Sequence, residues 1–188
     1  VAGVVFQVLL WNVLADPYIL GITSGASSGA VLVLLFGLLP DFGQHALSAA
    51  AFAGGLLAFL LVFLLARKGG QITPVRVILA GVAVSYFFSA LTSFFVLTSK
   101  GQGSAQGVLF WLMGSIAGAK WQQLGQPAAA LFVGAAWLTV RADVLNILAL
   151  GDETAVTLGI RPDRLRTMLL VYAALLTGII VAVSGGIG

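Results

Sequence analysis

Charged residues are so sparse in this chain that seven stretches contain none: 1–15, 17–40, 46–66, 77–99, 101–119, 121–140 and 167–188. A membrane-spanning helix needs ~20 mostly apolar residues, and most of these runs meet that length. Only nine of 188 residues are Lys or Arg and six are Asp or Glu, 8% in all. A soluble domain carries about 25% charge to cover its surface. With 60% apolar residues the chain is also far from the charge-rich composition of disorder. The reading is an all-α integral membrane protein, a polytopic transmembrane helix bundle. Cysteine is absent and His45 is the single histidine, which excludes disulfides, thiolate metal sites, cysteine nucleophiles and a histidine metal cluster. The net charge of +3 arises from isolated cations, not from a basic run, so it points to membrane orientation and not to nucleic acid. No secretory signal is visible. The chain starts at Val1 and stops at Gly188, each inside an apolar run, so a fragment of a longer protein is expected.

The expected spans are 1–12 (partial), 20–39, 46–66, 76–98, 124–140 and 165–185, in one transmembrane domain over 1–188. The stretch 101–119 is weak as a span because it holds five Gly, two Gln and two Ser. Were it to cross together with 121–140, Lys120 alone would form the turn, and antiparallel helices need at least about two residues. It reads instead as an interfacial helix over 108–116. With one crossing there, Arg67, Lys68, Arg76, Arg141, Arg161, Arg164 and Arg166 share a side against Lys100 and Lys120, seven to two. With two crossings the count becomes four to five and the bias vanishes. The positive-inside rule therefore places 11–16, 67–76 and 141–166 in the cytoplasm.

Helices in lipid associate through small residues that allow close approach. Gly21, Gly25 and Gly29 repeat at four-residue spacing, as do Gly81, Ser85, Ser89 and Ser93. Both stripes read as helix–helix contacts, the alternative being that one of them faces a water-filled pathway. No GxxxxGK[ST] loop, acidic pair, HExxH or GxSxG occurs, so no enzyme site and no ATPase site is encoded. No Asp, Glu, Lys or Arg falls mid-span, which argues against an ion-coupled carrier. On the cytoplasmic side, Asp143 is placed to cap a short helix over 144–150 ended by Gly151, and Asp152 a second over 153–158 ended by Gly159. Helices this short need a surface to pack on. That surface is either the membrane, met through Leu145, Leu148 and Leu158, or a soluble partner.

These residues also carry a resemblance. Gln7…Asn12-Val-Leu-Ala-Asp-Pro-Tyr-Ile-Leu-Gly-Ile-Thr-Ser-Gly-Ala26 resembles the Q…NPLADPxxLGxxxGA signature of the FecCD-type permeases, the iron–siderophore and cobalamin ABC importers. Leu79-Ala-Gly-Val-Ala83, Trp111-Leu-Met-Gly-Ser115 with Trp121, and Leu145-Asn146…Leu150-Gly-Asp-Glu153…Ala155…Leu158-Gly159 match later blocks in the same order. Val13 departs from the usual Pro, and Gly186 stands where Pro or a small residue is common. The resemblance implies a type II ABC importer permease of ten spans in a bacterial or archaeal cytoplasmic membrane. It would form a homodimer or heterodimer, with two ATPase subunits that bind the ATP and Mg, an extracytoplasmic binding protein, and no cofactor in this chain. It further implies that Leu150, Gly151, Asp152, Glu153, Ala155, Leu158 and Gly159 form the segment coupled to the ATPase. Ala155 would there allow close approach to the ATPase cleft, and Glu153 would supply a charge. The expected cargo is an iron(III)–siderophore or related chelate. The alternatives are a fragment of an ion-coupled carrier or channel, and a non-transporting membrane anchor for a soluble partner.

Overall fold

The computed structural model describes residues 2–10, 15–68, 71–99, 102–114, 121–159 and 162–186. Lys100, Lys120 and Arg161 lie outside the described residues, as do the side chains of Lys68, Asp152 and Glu153. Among the described residues the α-helices are α1 (Ala2–Leu10), α2 (Ile22–Phe36), α3 (Ala46–Ala66), α4 (Pro74–Thr98), α5 (Gln102–Met113), α6 (Trp121–Val140), α7 (Ala142–Ala149), α8 (Asp152–Thr157) and α9 (Pro162–Ser184). The all-α reading holds, with one small addition. Strands β1 (Arg67–Lys68) and β2 (Gln71–Ile72) pair antiparallel, Arg67 opposite Ile72, and turn α3 into α4.

Helices α3, α4 and α9 have 21, 25 and 23 residues and are apolar enough to cross a bilayer. At a ~1.5 Å rise each exceeds the ~30 Å hydrocarbon core. The second half of α6, from Pro127, and α7 through Leu148 are apolar enough to span only when taken together, and they bend by 67° at their junction. The bend falls at Arg141, so the helix expected over 144–150 starts at Ala142 instead. Asp143 lies inside its first turn, and Arg141 occupies the N-cap without a side-chain hydrogen bond.

The expected span 20–39 is shorter than anticipated. α2 has only 15 residues because Gly21 (φ 67°) precedes it and Gly37 (φ 61°) ends it, both in the left-handed region. That is ~22 Å of helix, less than a full crossing. A 3-10 turn at Pro17–Leu20 leads into it, with Asp16 Oδ1 accepting a hydrogen bond from Tyr18 N at 2.8 Å. Every α2 residue from Ile22 to Val31 is buried, so this half of the helix forms the centre of the bundle. Gly25 faces the Gly54 carbonyl of α3, and Gly29 faces that of Ala50. A side chain at either position would separate the two helices. Around α2, a continuous cluster joins Phe6 and Leu9 of α1, Val62 of α3, Val84 and Phe88 of α4, Leu148 of α7 and Leu169 of α9. The outward faces expose Leu64, Leu79, Tyr86, Phe87, Phe132 and Val133, as expected of a surface solvated by lipid.

Three further boundaries differ from the sequence reading. The helix expected over 108–116 runs from Gln102 to Met113, because Gly114 (φ 65°) ends it. It is also no free interfacial helix. Val108 is buried, and Gly186 N donates to Trp111 O at 3.2 Å, bringing the chain after α9 onto the end of α5. α9 begins at Pro162 rather than 165, which brings Arg164 and the buried Arg166 into its first turns. Asp16, expected in a loop past the end of α1, lies instead beside its start. It shares a cavity with Ala2 and Gly3 at the start of α1 and with Thr177, Ile180 and Val181 of α9. Thr177 lies 15 residues along α9, or ~22 Å from Pro162, well inside the bundle.

Candidate functional site

Where α2, α4 and α5 meet, a cavity of about 430 Å³ opens beside the bundle centre. From α2 it is lined by Thr23, Ser24 and Ser27, and from α4 by Ser89, Thr92 and Ser93. Tyr18, Gly186, and Leu112 and Met113 of α5 add to the wall, and among the described residues that line it none is charged. Two of the hydroxyls are engaged by helix backbone: Ser27 Oγ donates to Thr23 O at 2.9 Å, and Ser93 Oγ to Ser89 O at 3.0 Å. Behind the wall, Ser28 Oγ donates to Phe88 O at 2.9 Å and lies 2.8 Å from Thr92 Oγ1. A serine hydroxyl carries one proton, so Thr92 supplies the proton of the second bond. This pair fastens α2 to α4. Among the described residues, the side chains of Thr23, Ser24 and Ser89 make no hydrogen bond and are left to face the cavity. Unpaired hydroxyls at membrane depth require water or a polar guest.

The small-residue stripe of α4 divides along its length. A Cβ at Gly81 would overlap the Ile19 carbonyl, and one at Gly21 would come within 3.0 Å of Ser85 Oγ, so this half packs helix against turn. Ser89 and Ser93 are exposed and line the chamber. Both readings of the stripe thus apply, each to one half. The α2 stripe is wholly a contact, Gly21 meeting α4 and Gly25 and Gly29 meeting α3. A hydroxyl-rich run, Thr23-Ser-Gly-Ala-Ser-Ser28, was the available sequence signal for the chamber, but it cannot show which helix it faces.

The second feature is the hairpin of α7 and α8. Its joint, Gly151, has φ 112° and ψ 162° and serves as the N-cap of α8 in place of Asp152. That backbone region is essentially restricted to glycine. Nothing lies within 4 Å of a Cβ built at Gly151, so the requirement is conformational and not steric. Gly159, after α8, also has positive φ (78°). Leu148 is fully buried and Leu145 is packed on the same cluster, so neither lies free on the membrane surface. Ala155 is fully buried as well and so has no surface to offer a partner cleft. Its small size seats α8 on its own bundle. Leu150, Val156 and Leu158 are instead 72%, 61% and 59% exposed, an apolar patch at the end of the bundle.

The described residues thus form a bundle of membrane-length helices with a hydroxyl-lined chamber and exposed apolar side chains on the α7–α8 hairpin. The FecCD transport family matches residues 1–188, and the chain belongs to that family. It is 41% identical to the vitamin B12 import system permease protein BtuC of Vibrio cholerae, over all of this chain and 56% of that protein. The cobalamin import permease BtuC of Halobacterium salinarum is 36% identical over all of this chain and 50% of its own length. The iron(3+)-hydroxamate import permease FhuG of Bacillus subtilis is 38% identical over all of this chain and 56% of its own length. Among solved structures, a metal-chelate type ABC transporter in an inward-facing conformation matches with a TM-score of 0.87 and 32% identity, over all of this chain and 59% of that one. The chain spans about half the length of the curated relatives it matches.

Proposed function

We propose that the whole protein is the permease subunit of an ATP-driven importer, carrying an iron(III)–siderophore or related metal chelate across a bacterial or archaeal cytoplasmic membrane. The α7–α8 hairpin is the observation that carries this reading. Buried Leu148 roots it in the bundle, while Leu150, Val156 and Leu158 present apolar surface outward. On the charge bias this end is cytoplasmic, where apolar surface calls for a protein partner. The partner is an ATPase subunit that binds the ATP and Mg. A second permease subunit and an extracytoplasmic binding protein complete the assembly. Closure of the ATPase pair would move the hairpin as a rigid body, and α7 would pass that motion to α1 and α6, with which it is in contact. The chamber of neutral hydroxyls suits a passage, since it solvates a cargo without a charge that would hold it. The named substrates of the relatives, cobalamin and iron(3+)-hydroxamate, are both bulky chelates and support the cargo class.

The test is Val156→Asp and Leu158→Asp in the full-length protein. Both sites are exposed, so the fold should remain. ATPase capture in a pull-down, and stimulation of ATP hydrolysis by loaded binding protein, should each fall about tenfold, equivalent to ~1.4 kcal/mol. Full capture and full stimulation in both variants would leave the coupling role without support.

A further inference from the structure

Between α6 and α9 lies a groove of about 510 Å³. Its walls are Ala130, Val133 and Gly134 of α6 and Val171, Leu175 and Ile179 of α9, so it is almost wholly apolar. Along it the rings of Trp137 and Tyr172 stack at 5.2 Å between centroids. Arg141 stands over the Trp137 ring, its guanidinium 5.5 Å from the ring centre. Arg164 is exposed on α9, one turn before groove residues Thr167 and Met168. Neither arginine pairs with Asp143, Asp163 or any other acid among the described residues, so their donors are open.

We infer that this groove binds an anionic phospholipid, with an acyl chain between α6 and α9 and its phosphate at Arg141 and Arg164. Length argues against a further transmembrane helix as the occupant. The groove runs along α9 from Thr167 to Ile179, ~18 Å at 1.5 Å per residue. That is close to one leaflet, half of the ~30 Å core, whereas a spanning helix would need the full depth. Placement argues the same way. Arg141 follows groove residue Trp137 by one helical turn, and Arg164 precedes groove residue Thr167 by one turn, so each helix carries a cation just past the groove's lining. Guanidinium groups match phosphate oxygens in bidentate geometry, and basic pockets between helices are where anionic headgroups bind.

The probe is a phospholipid with brominated acyl chains, which quenches tryptophan on contact. Full-length protein is reconstituted in symmetric phosphatidylcholine vesicles doped with brominated phosphatidylglycerol or brominated phosphatidylcholine, which makes the result independent of orientation and of transport. The Trp137 signal is the difference between the protein and its Trp137→Phe variant. Phosphatidylglycerol should quench it at about fivefold lower mole fraction, the preference that ~1 kcal/mol from a surface arginine supplies. Arg141→Gln should remove the preference while quenching remains, and Ala130→Phe, which fills the groove, should weaken quenching by both lipids. Equal quenching by the two lipids, unchanged in Arg141→Gln, would reduce the groove to ordinary boundary contact and overturn the site. Absence of quenching by either lipid would show that protein covers the groove, and would overturn it equally.

Discussion

Gly151→Ala isolates a backbone requirement from every packing effect. At φ 112° and ψ 162° the joint between α7 and α8 occupies a region that a side-chain-bearing residue enters at a cost of ~1–3 kcal/mol. Nothing lies within 4 Å of the new Cβ, so no steric term is added. Taking ~2 kcal/mol, the native hinge should become roughly 30-fold less favoured relative to its alternatives. Global stability should barely change, because the anchor Leu148 is untouched and α8 is a single short turn-and-a-half outside the main cluster. Asparagine gives the sharper comparison. It tolerates the left-handed helical region but not that of Gly151, so Gly151→Asn should be as damaging as Gly151→Ala. Gly37 sits in the true left-handed region (φ 61°, ψ 33°) with open space around it, so Gly37→Asn should be close to neutral. The assay is ATP hydrolysis by the full-length permease with its ATPase and loaded binding protein, alongside the thermal midpoint of the permease. Stimulation should drop about tenfold or more in both Gly151 variants, with the midpoint unchanged. Undiminished stimulation in Gly151→Ala and Gly151→Asn would refute the hinge requirement.

Ser28→Ala and Thr92→Val should each destabilise the α2–α4 contact by about 0.6–1.7 kcal/mol, with a favourable coupling between them in a double-mutant cycle of unfolding in detergent; a coupling of zero would mean the two hydroxyls are not bonded. Gly25→Leu places its Cβ at the Gly54 carbonyl and 2.5 Å from Ala58 Cβ, and should cost ~3 kcal/mol or more, read as loss of monodisperse protein; unchanged yield and midpoint would contradict the close approach of α2 and α3. Cysteines at Lys100 and Lys120 should react with an impermeant thiol reagent in intact cells while those at Arg67 and Arg164 should not, and the reverse pattern would invert the orientation.

Much of the fold was legible because transfer into lipid depends on composition over ~20 residues, which a linear chain displays directly. The charge-free runs 46–66, 77–99 and 167–188 coincide closely with α3, α4 and α9, and Gly151 and Gly159 were recognisable as breaks in the helix pattern. Hidden from the sequence were the features that depend on which residues meet across long separations. Asp16 looks like the edge of a cytoplasmic loop, but its place follows from its neighbours on α1 and α9, the latter some 160 residues away in the chain. Ala155 was read as a partner contact because smallness suits any close approach, inward or outward. Only its burial in the folded chain decides that it faces inward.

The sequence by itself therefore determined that this is a helical membrane protein, roughly where its long helices run, and where glycine permits sharp turns. Those outcomes rest on local free energies, set by side-chain hydrophobicity and by the φ and ψ that each residue tolerates. The tertiary structure alone decided that Ser89 and Ser93 line a chamber while Gly81 and Ser85, on the same stripe, pack against a turn. In lipid there is no hydrophobic penalty to tell one apolar helix face from another, so facing is set by the backbone approaches that glycines at 25, 29, 54 and 81 permit once the helices are together.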